Sequence, residues 1–208
     1  VSRELAGLNP LNAEAVARHL VSAGLLLDSD PERALQHAEA AQARAGRLAV
    51  VREACGLAAY ATGNYALART HLQAARRIGG IAAGLAVLAD CERALGHPER
   101  ALEIAATPQA RALDAEERVE LAIVVSGVRR DLGQGAAAVA GLEGPDLDSG
   151  VVQPWTARLW YAYAEALLSA HRAEDARRWF AAAATIDEHD DTDAAERAAL
   201  LPADPPHP

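Results

Sequence analysis

The string Pro31-Glu32-Arg33-Ala34-Leu35 returns 67 residues later as Pro98-Glu99-Arg100-Ala101-Leu102. This recurrence constrains the fold more than any isolated motif does, because 67 is close to two periods of about 34 residues, the length of a two-helix repeat. Between the copies stands Asn64-Tyr65-Ala66-Leu67-Ala68, a variant of the same turn-into-helix signal, where a middle repeat belongs. Ala34, Ala68, Ala101, Ala138 and Ala176 carry the series on at spacings of 34, 33, 37 and 38. Small residues at such positions let the two helices of a hairpin approach, while larger ones fill the groove against the next hairpin.

The rest of the sequence agrees with a helical reading. Alanine makes up about a quarter of the 208 residues and aromatics only 4%. That favours closely packed helices over a β core, which would want more Val, Thr and aromatic residues. Asp30 before Pro31 reads as a helix N-cap, and Asp114 with Glu117 as a capping box ahead of Val119, Leu121 and Ile123. Gly46, Gly63, Gly96 and Gly133 fall where turns are needed. Thr107-Pro108 shortens one second helix, and residues 141–154 form an extended loop. Past the acidic run Asp187 to Asp191, Asp193 and Glu196 suggest another capped helix, a short one running to Leu201 and covering the end of the array.

The strongest repeat is the last. Trp160, Tyr163-Ala164, Leu167, Ala176 and Phe180 follow the spacing W-x2-L-G-x2-Y…A-x3-F, with Ala183 on the same face. Gly56, Gly63, Tyr65, Ala68, Leu72 and Ala75 repeat it in the second unit, where Cys55 and Ala59 take large-residue positions. The first unit aligns through Val21, Leu25, Pro31, Ala34, Ala38 and Ala41, the third through Leu88-Ala89, Gly96, Pro98, Ala101 and Ala105. A degenerate fourth runs through Val124, Gly133, Ala138 and Leu142. Over residues 14–186 the chain therefore resembles the tetratricopeptide repeat (TPR) family. Its lack of lysine and its Ala/Arg richness are similar to stand-alone TPR proteins of high-GC bacteria.

The resemblance implies an all-α, right-handed solenoid of about five TPR-like helical hairpins with a short C-terminal capping helix. Residues 1–11 would be a lead-in, 12–201 a single repeat domain and 202–208 a disordered tail. It also implies a non-catalytic protein- or peptide-binding adaptor, with a self-associating, homodimeric regulatory or structural module as the alternative. TPR grooves are lined by the first helices of successive hairpins, and that register selects Glu53, Tyr60, Asp90, Arg93, Arg130, Tyr161 and Glu165. Each alone reads as a solvated side chain of an amphipathic helix. Together they form a mixed-charge, partly aromatic surface, and Glu53, Asp90 and Glu165 suit a basic ligand. The chaperone-tail subclass grips a carboxylate with Lys, Asn and Arg, but His19, Ala23, Glu53 and Leu57 occupy the matching register. That mode is not expected.

Other chemistry finds little support. A net charge of −9 repels nucleic acid. Cys55 and Cys91 stand in separate helices outside any CxxC or Cys/His cluster, which predicts buried free thiols, and with no membrane span in sight the cytoplasm is the expected location. Residues Gly133 to Ala138 match a G-x-G-x-x-A dinucleotide pattern, yet a helix rather than a strand precedes them, so they read as a hairpin turn. His189 with Asp190, Asp191 and Asp193 lacks the spaced ligands and glycine of a calcium loop and reads as a solvated linker. His19, His37, His71, His97 and His171 are scattered, with His97 and His171 at exposed turns. No catalytic residue, metal ligand or cofactor is assigned. Six aromatics crowd into 26 residues: packing accounts for Trp160, Tyr163 and Phe180, leaving Trp155, Tyr161 and Trp179 for a partner contact, although burial under the terminal helix serves Trp179 equally well.

Overall fold

Four hairpin turns share one construction. At Gly63, Gly96 and Gly133 the backbone enters the left-handed region, with φ of 76°, 78° and 71°, and His171 does so with φ of 61°. In each, the next residue's N–H reaches back to a carbonyl five residues earlier: Asn64 to Ala59, His97 to Glu92, Gln134 to Arg129 and Arg172 to Leu167, at 2.8–2.9 Å. This closes the first helix in the way a Schellman turn does and launches the second. Glycine suits the position because it lacks the Cβ that clashes there, a penalty His171 bears.

The computed structural model describes residues 2–79, 84–188 and 191–201, and divides into two compact units, 1–113 and 114–208. The expected tail 202–208 and residues His189 and Asp190 of the acidic run lie outside the described residues. Unit 1 holds α1 (Ser2–Leu5) and three hairpins: α2 (Pro10–Leu26) with α3 (Pro31–Ala45), α4 (Ala49–Ala61) with α5 (Tyr65–Gly79), and α6 (Leu85–Ala94) with α7 (Pro98–Ala105). Unit 2 holds α8 (Ala115–Asp131) with α9 (Gly135–Ala140), α10 (Thr156–Ser169) with α11 (Ala173–Ile186), and α12 (Ala194–Leu200). No strand occurs among the described residues.

Side chains fix the helix starts as expected. Asp30 accepts the Arg33 N–H at 3.1 Å and Asp114 the Glu117 N–H at 2.9 Å. Asn9 and Asn64 do the same for Asn12 and Leu67. All five anchor alanines are fully buried. Close approach is literal at Gly135, where a Cβ would sit 2.5 Å from the Ser169 carbonyl oxygen of α10. The glycine-rich run thus serves a turn and a helix contact.

Two local expectations need correction. Val21 and Leu25 are exposed, and Val16 and Ala23 are the buried residues of α2, because Val21 and Leu25 fall on the face of the helix opposite that pair, while Leu20 and Leu26 pack half-buried beside it. Asp193 does not cap α12 with its side chain. Instead Asp187 ties the preceding turn, accepting the N–H groups of Asp191 and Thr192 at 2.9 Å and the Thr192 hydroxyl at 2.6 Å. The loop 141–154 carries no helix, yet it is anchored: Leu142 and Leu147 are buried, and the Trp160 indole N–H donates to the Leu147 carbonyl at 3.2 Å.

Candidate functional site

Within each unit the residues chosen by first-helix register meet residues about one repeat away. In unit 1 the Tyr60 hydroxyl on α4 donates to Asp90 Oδ2 on α6 at 2.6 Å, and Arg93 Nη1 donates to Asp90 Oδ1 at 3.1 Å. Burial, and then the hydrogen bond to Asp90, push the Tyr60 phenol far above its ordinary pKa, so it stays a donor. Its ring meets Tyr65 edge-on at 5.7 Å. Glu53 stands half-buried on α4, and it too has an interaction partner.

Unit 2 repeats the arrangement with the charges rearranged. Arg130 Nη1 on α8 donates to Glu165 Oε2 on α10 at 2.6 Å, and Arg197 on α12 grips the other Glu165 oxygen. The Arg197 guanidinium also lies 5.4 Å from the centre of the Phe180 ring. One turn before Glu165, the Tyr161 hydroxyl donates to Asp193 Oδ1 at 2.6 Å, and burial followed by that bond raises its pKa to about 12. Tyr161 and Glu165 on α10 thus face Asp193, just before α12, and Arg197 on it, both pairs four residues apart. The structure brings together Tyr60, Asp90 and Arg93 in one unit, and Arg130 with Glu165 in the other, beside Tyr161. Two of the three acids expected to await a basic ligand, Asp90 and Glu165, already hold arginines.

Several interacting groups escaped the sequence reading. His19 and His37, scattered in the sequence, meet across the first hairpin with their Nδ1 atoms 3.0 Å apart. One donates and the other accepts, and burial, followed by His37, Arg44 and Arg18, lowers the His19 pKa. His97 is half-buried, its Nδ1 3.0 Å from the buried Glu92, which Arg69 also approaches at 3.6 Å. Asp193 and Arg197 could have been found by pairing the i, i+4 set on α10 with an opposite-polarity set 32 residues on. For the two histidines, whose residues belong to different helices 18 positions apart, no sequence signal exists.

The leftover aromatics are not free. Trp155, Tyr161 and Trp179 pack half-buried against the unit 2 core, with Trp179 edge-on to both Trp160 and Tyr163 and Tyr161 edge-on to Phe180. Burial lifts the Cys55 thiol to about 11 and Cys91 to about 12, which leaves both protonated and poorly nucleophilic at neutral pH. Among the described residues no group of three or more His, Cys, Asp and Glu side chains is placed to hold a metal ion, and no helix is long and apolar enough to cross a membrane.

No protein-family model matches the chain, and no curated protein does. Among solved structures it is similar to the crystal structure of YrrB, a TPR protein with an unusual peptide-binding site. The likeness covers 87% of this chain and 90% of that one, with a TM-score of 0.53 at 20% identity. At that identity it shows the fold alone, which is all-α and TPR-like, as the repeat spacing implies.

Proposed function

We propose that this chain is a non-catalytic repeat module that binds a protein or peptide segment along the first helices of its hairpins. The observation that carries the reading is the fold likeness to a TPR protein with a peptide-binding site, spanning nearly the whole of both chains. The first helices supply the means: mixed charges and phenols on α4 and α6 in one unit and on α8 and α10 in the other. Because Asp90 and Glu165 are occupied by Arg93, Arg130 and Arg197, a basic side chain of the ligand would trade places with an arginine already present. Such an exchange between like partners suits moderate, reversible affinity. The two thiols, reduced and buried, fit a cytoplasmic setting.

A random-peptide display library panned on the immobilised chain tests this. Peptides should be selected, and Glu53→Ala, Tyr60→Phe or Arg130→Ala should weaken them by about tenfold, roughly 1.4 kcal/mol each. Failure to select any peptide, or selected peptides that bind every variant equally, would overturn the reading.

A further inference from the structure

We infer that the solvent face of α2 is a self-association surface, on which a second copy of this chain lays its own α2 antiparallel. The inference is independent of the peptide-binding reading and concerns a different face.

The buried residues of α2, Val16 and Ala23, are seven apart. Opposite them stand Leu11, Glu14, Arg18, Val21 and Leu25, at successive spacings of 3, 4, 3 and 4. That is the seam spacing of a two-stranded coiled coil, with Val16 and Ala23 at the position pointing away from the seam. The seam is bare: Leu11, Val21 and Leu25 are 82%, 61% and 78% exposed, and the Arg18 and Glu14 side chains 74% and 64%. Lone exposed leucines are ordinary on a surface, but three large apolar side chains aligned on one helix face are not. The seam is flanked by small residues, Ala15 and Ser22 on one side and Ala17 and Gly24 on the other, and a Cβ on Gly24 would meet nothing within 4 Å. A second helix can therefore come close.

The charges select the occupant. Parallel pairing with a second copy would set Glu14 against Glu14 and Arg18 against Arg18. Antiparallel pairing about a two-fold axis between Glu14 and Arg18 sets Leu11 against Val21 of the other copy and Glu14 against its Arg18, each twice. The neighbouring antiparallel register, one heptad away, would press Glu14 on Leu25 and Arg18 on Val21 and leave neither charge an opposite one across the axis. The first register is self-complementary from Leu11 to Val21, the condition a two-fold interface must meet, and leaves Leu25 beyond the paired stretch, opposite Gly7 of the other copy. A lipid surface fits badly, because the charged pair occupies the middle of the seam. Within each copy Glu14 and Arg18 lie only 3.8 Å apart, so both already point along the same stripe.

The paired stretch, Leu11 to Val21, is about 15 Å long at 1.5 Å per residue, which makes a small interface and a weak, reversible dimer. Sedimentation equilibrium of the full chain from about 1 to about 500 µM tests this. The wild type should pass from monomer to dimer across the range. Glu14→Arg alone places four arginines across the axis and Arg18→Glu alone places four glutamates, so each should weaken association at least about tenfold. Mixed in equal amounts, these two variants should associate again, since every pair across the axis is then of opposite charge, and the swapped double variant should associate with itself. A wild type monomeric throughout the range, single variants that dimerise like the wild type, or a mixture that stays dissociated would each overturn the inference.

Discussion

The first hairpin of unit 1 and the last of unit 2 solve one packing problem with opposite materials. Between α2 and α3 the contact is made by Ala23, Ala34, Ala38 and Ala41, with Val16 the largest fully buried side chain of the pair. Between α10 and α11 it is made by Leu159, Tyr163, Leu167 and Phe180, ringed by half-buried tryptophans. Alanines bring helices close but bury little area each, so that hairpin depends on proximity, on half-buried leucines at its edges such as Leu20, Leu26 and Leu35, and on a polar contact, His19 with His37. Aromatic side chains bury far more, and α12 with its Arg197 closes over Phe180. The face of α10 is thus covered from within the chain, whereas the seam of α2 stays open to another copy.

If this contrast is correct, the largest effect comes from emptying the aromatic core. Phe180→Ala should cost about 3–5 kcal/mol and melt unit 2 first, against roughly 2 kcal/mol for Val16→Ala in the first hairpin. Urea unfolding followed by tryptophan fluorescence, which reports on unit 2 where all three tryptophans lie, and by circular dichroism distinguishes the two. Next, Gly135→Ala should cost about 1–3 kcal/mol, because the new methyl would meet α10 backbone that cannot yield as a side chain can.

The alanine hairpin should also be the acid-sensitive one. Folded His19 holds its proton less tightly than an unfolded histidine of ordinary pKa 6.5, being partly buried and facing His37, Arg18 and Arg44. As pH falls through 6.5 the unfolded chain takes up protons first, so stability should decline below that point and be retained above it. His71, lowered by burial and then by Arg52, although Glu39 opposes the shift, adds to the same slope. His19→Asn should flatten the pH dependence of the urea midpoint without abolishing it. The smallest effect is expected at the fifth turn, where His171→Gly should stabilise by about 0.5–1 kcal/mol by relieving the left-handed backbone.

The hairpins were legible because their determinants are local and periodic. Buried alanines recur every 33–38 residues, Asp30 and Asp114 cap where they should, and three turn glycines adopt the conformation their position requires. Candidate groove residues were legible as a register but not as a set of partners. Tyr60 with Asp90, and Tyr161 with Asp193, depend on how far one hairpin is offset from the next, which the intervening turn decides rather than the motif. Val21 and Leu25 misled for a related reason: the repeat register selected them, but they lie on the face of α2 opposite Val16 and Ala23, which with Leu20 and Leu26 turn toward the core. The first hairpin breaks the pattern where it is most exposed.

That first helices rather than second helices meet the ligand is tested most directly by hydrogen exchange with and without a selected peptide. Added protection should fall on α4, α6, α8 or α10 and spare α3, α5, α7 and α11. Protection confined to the second helices, or none at saturating peptide, would contradict it.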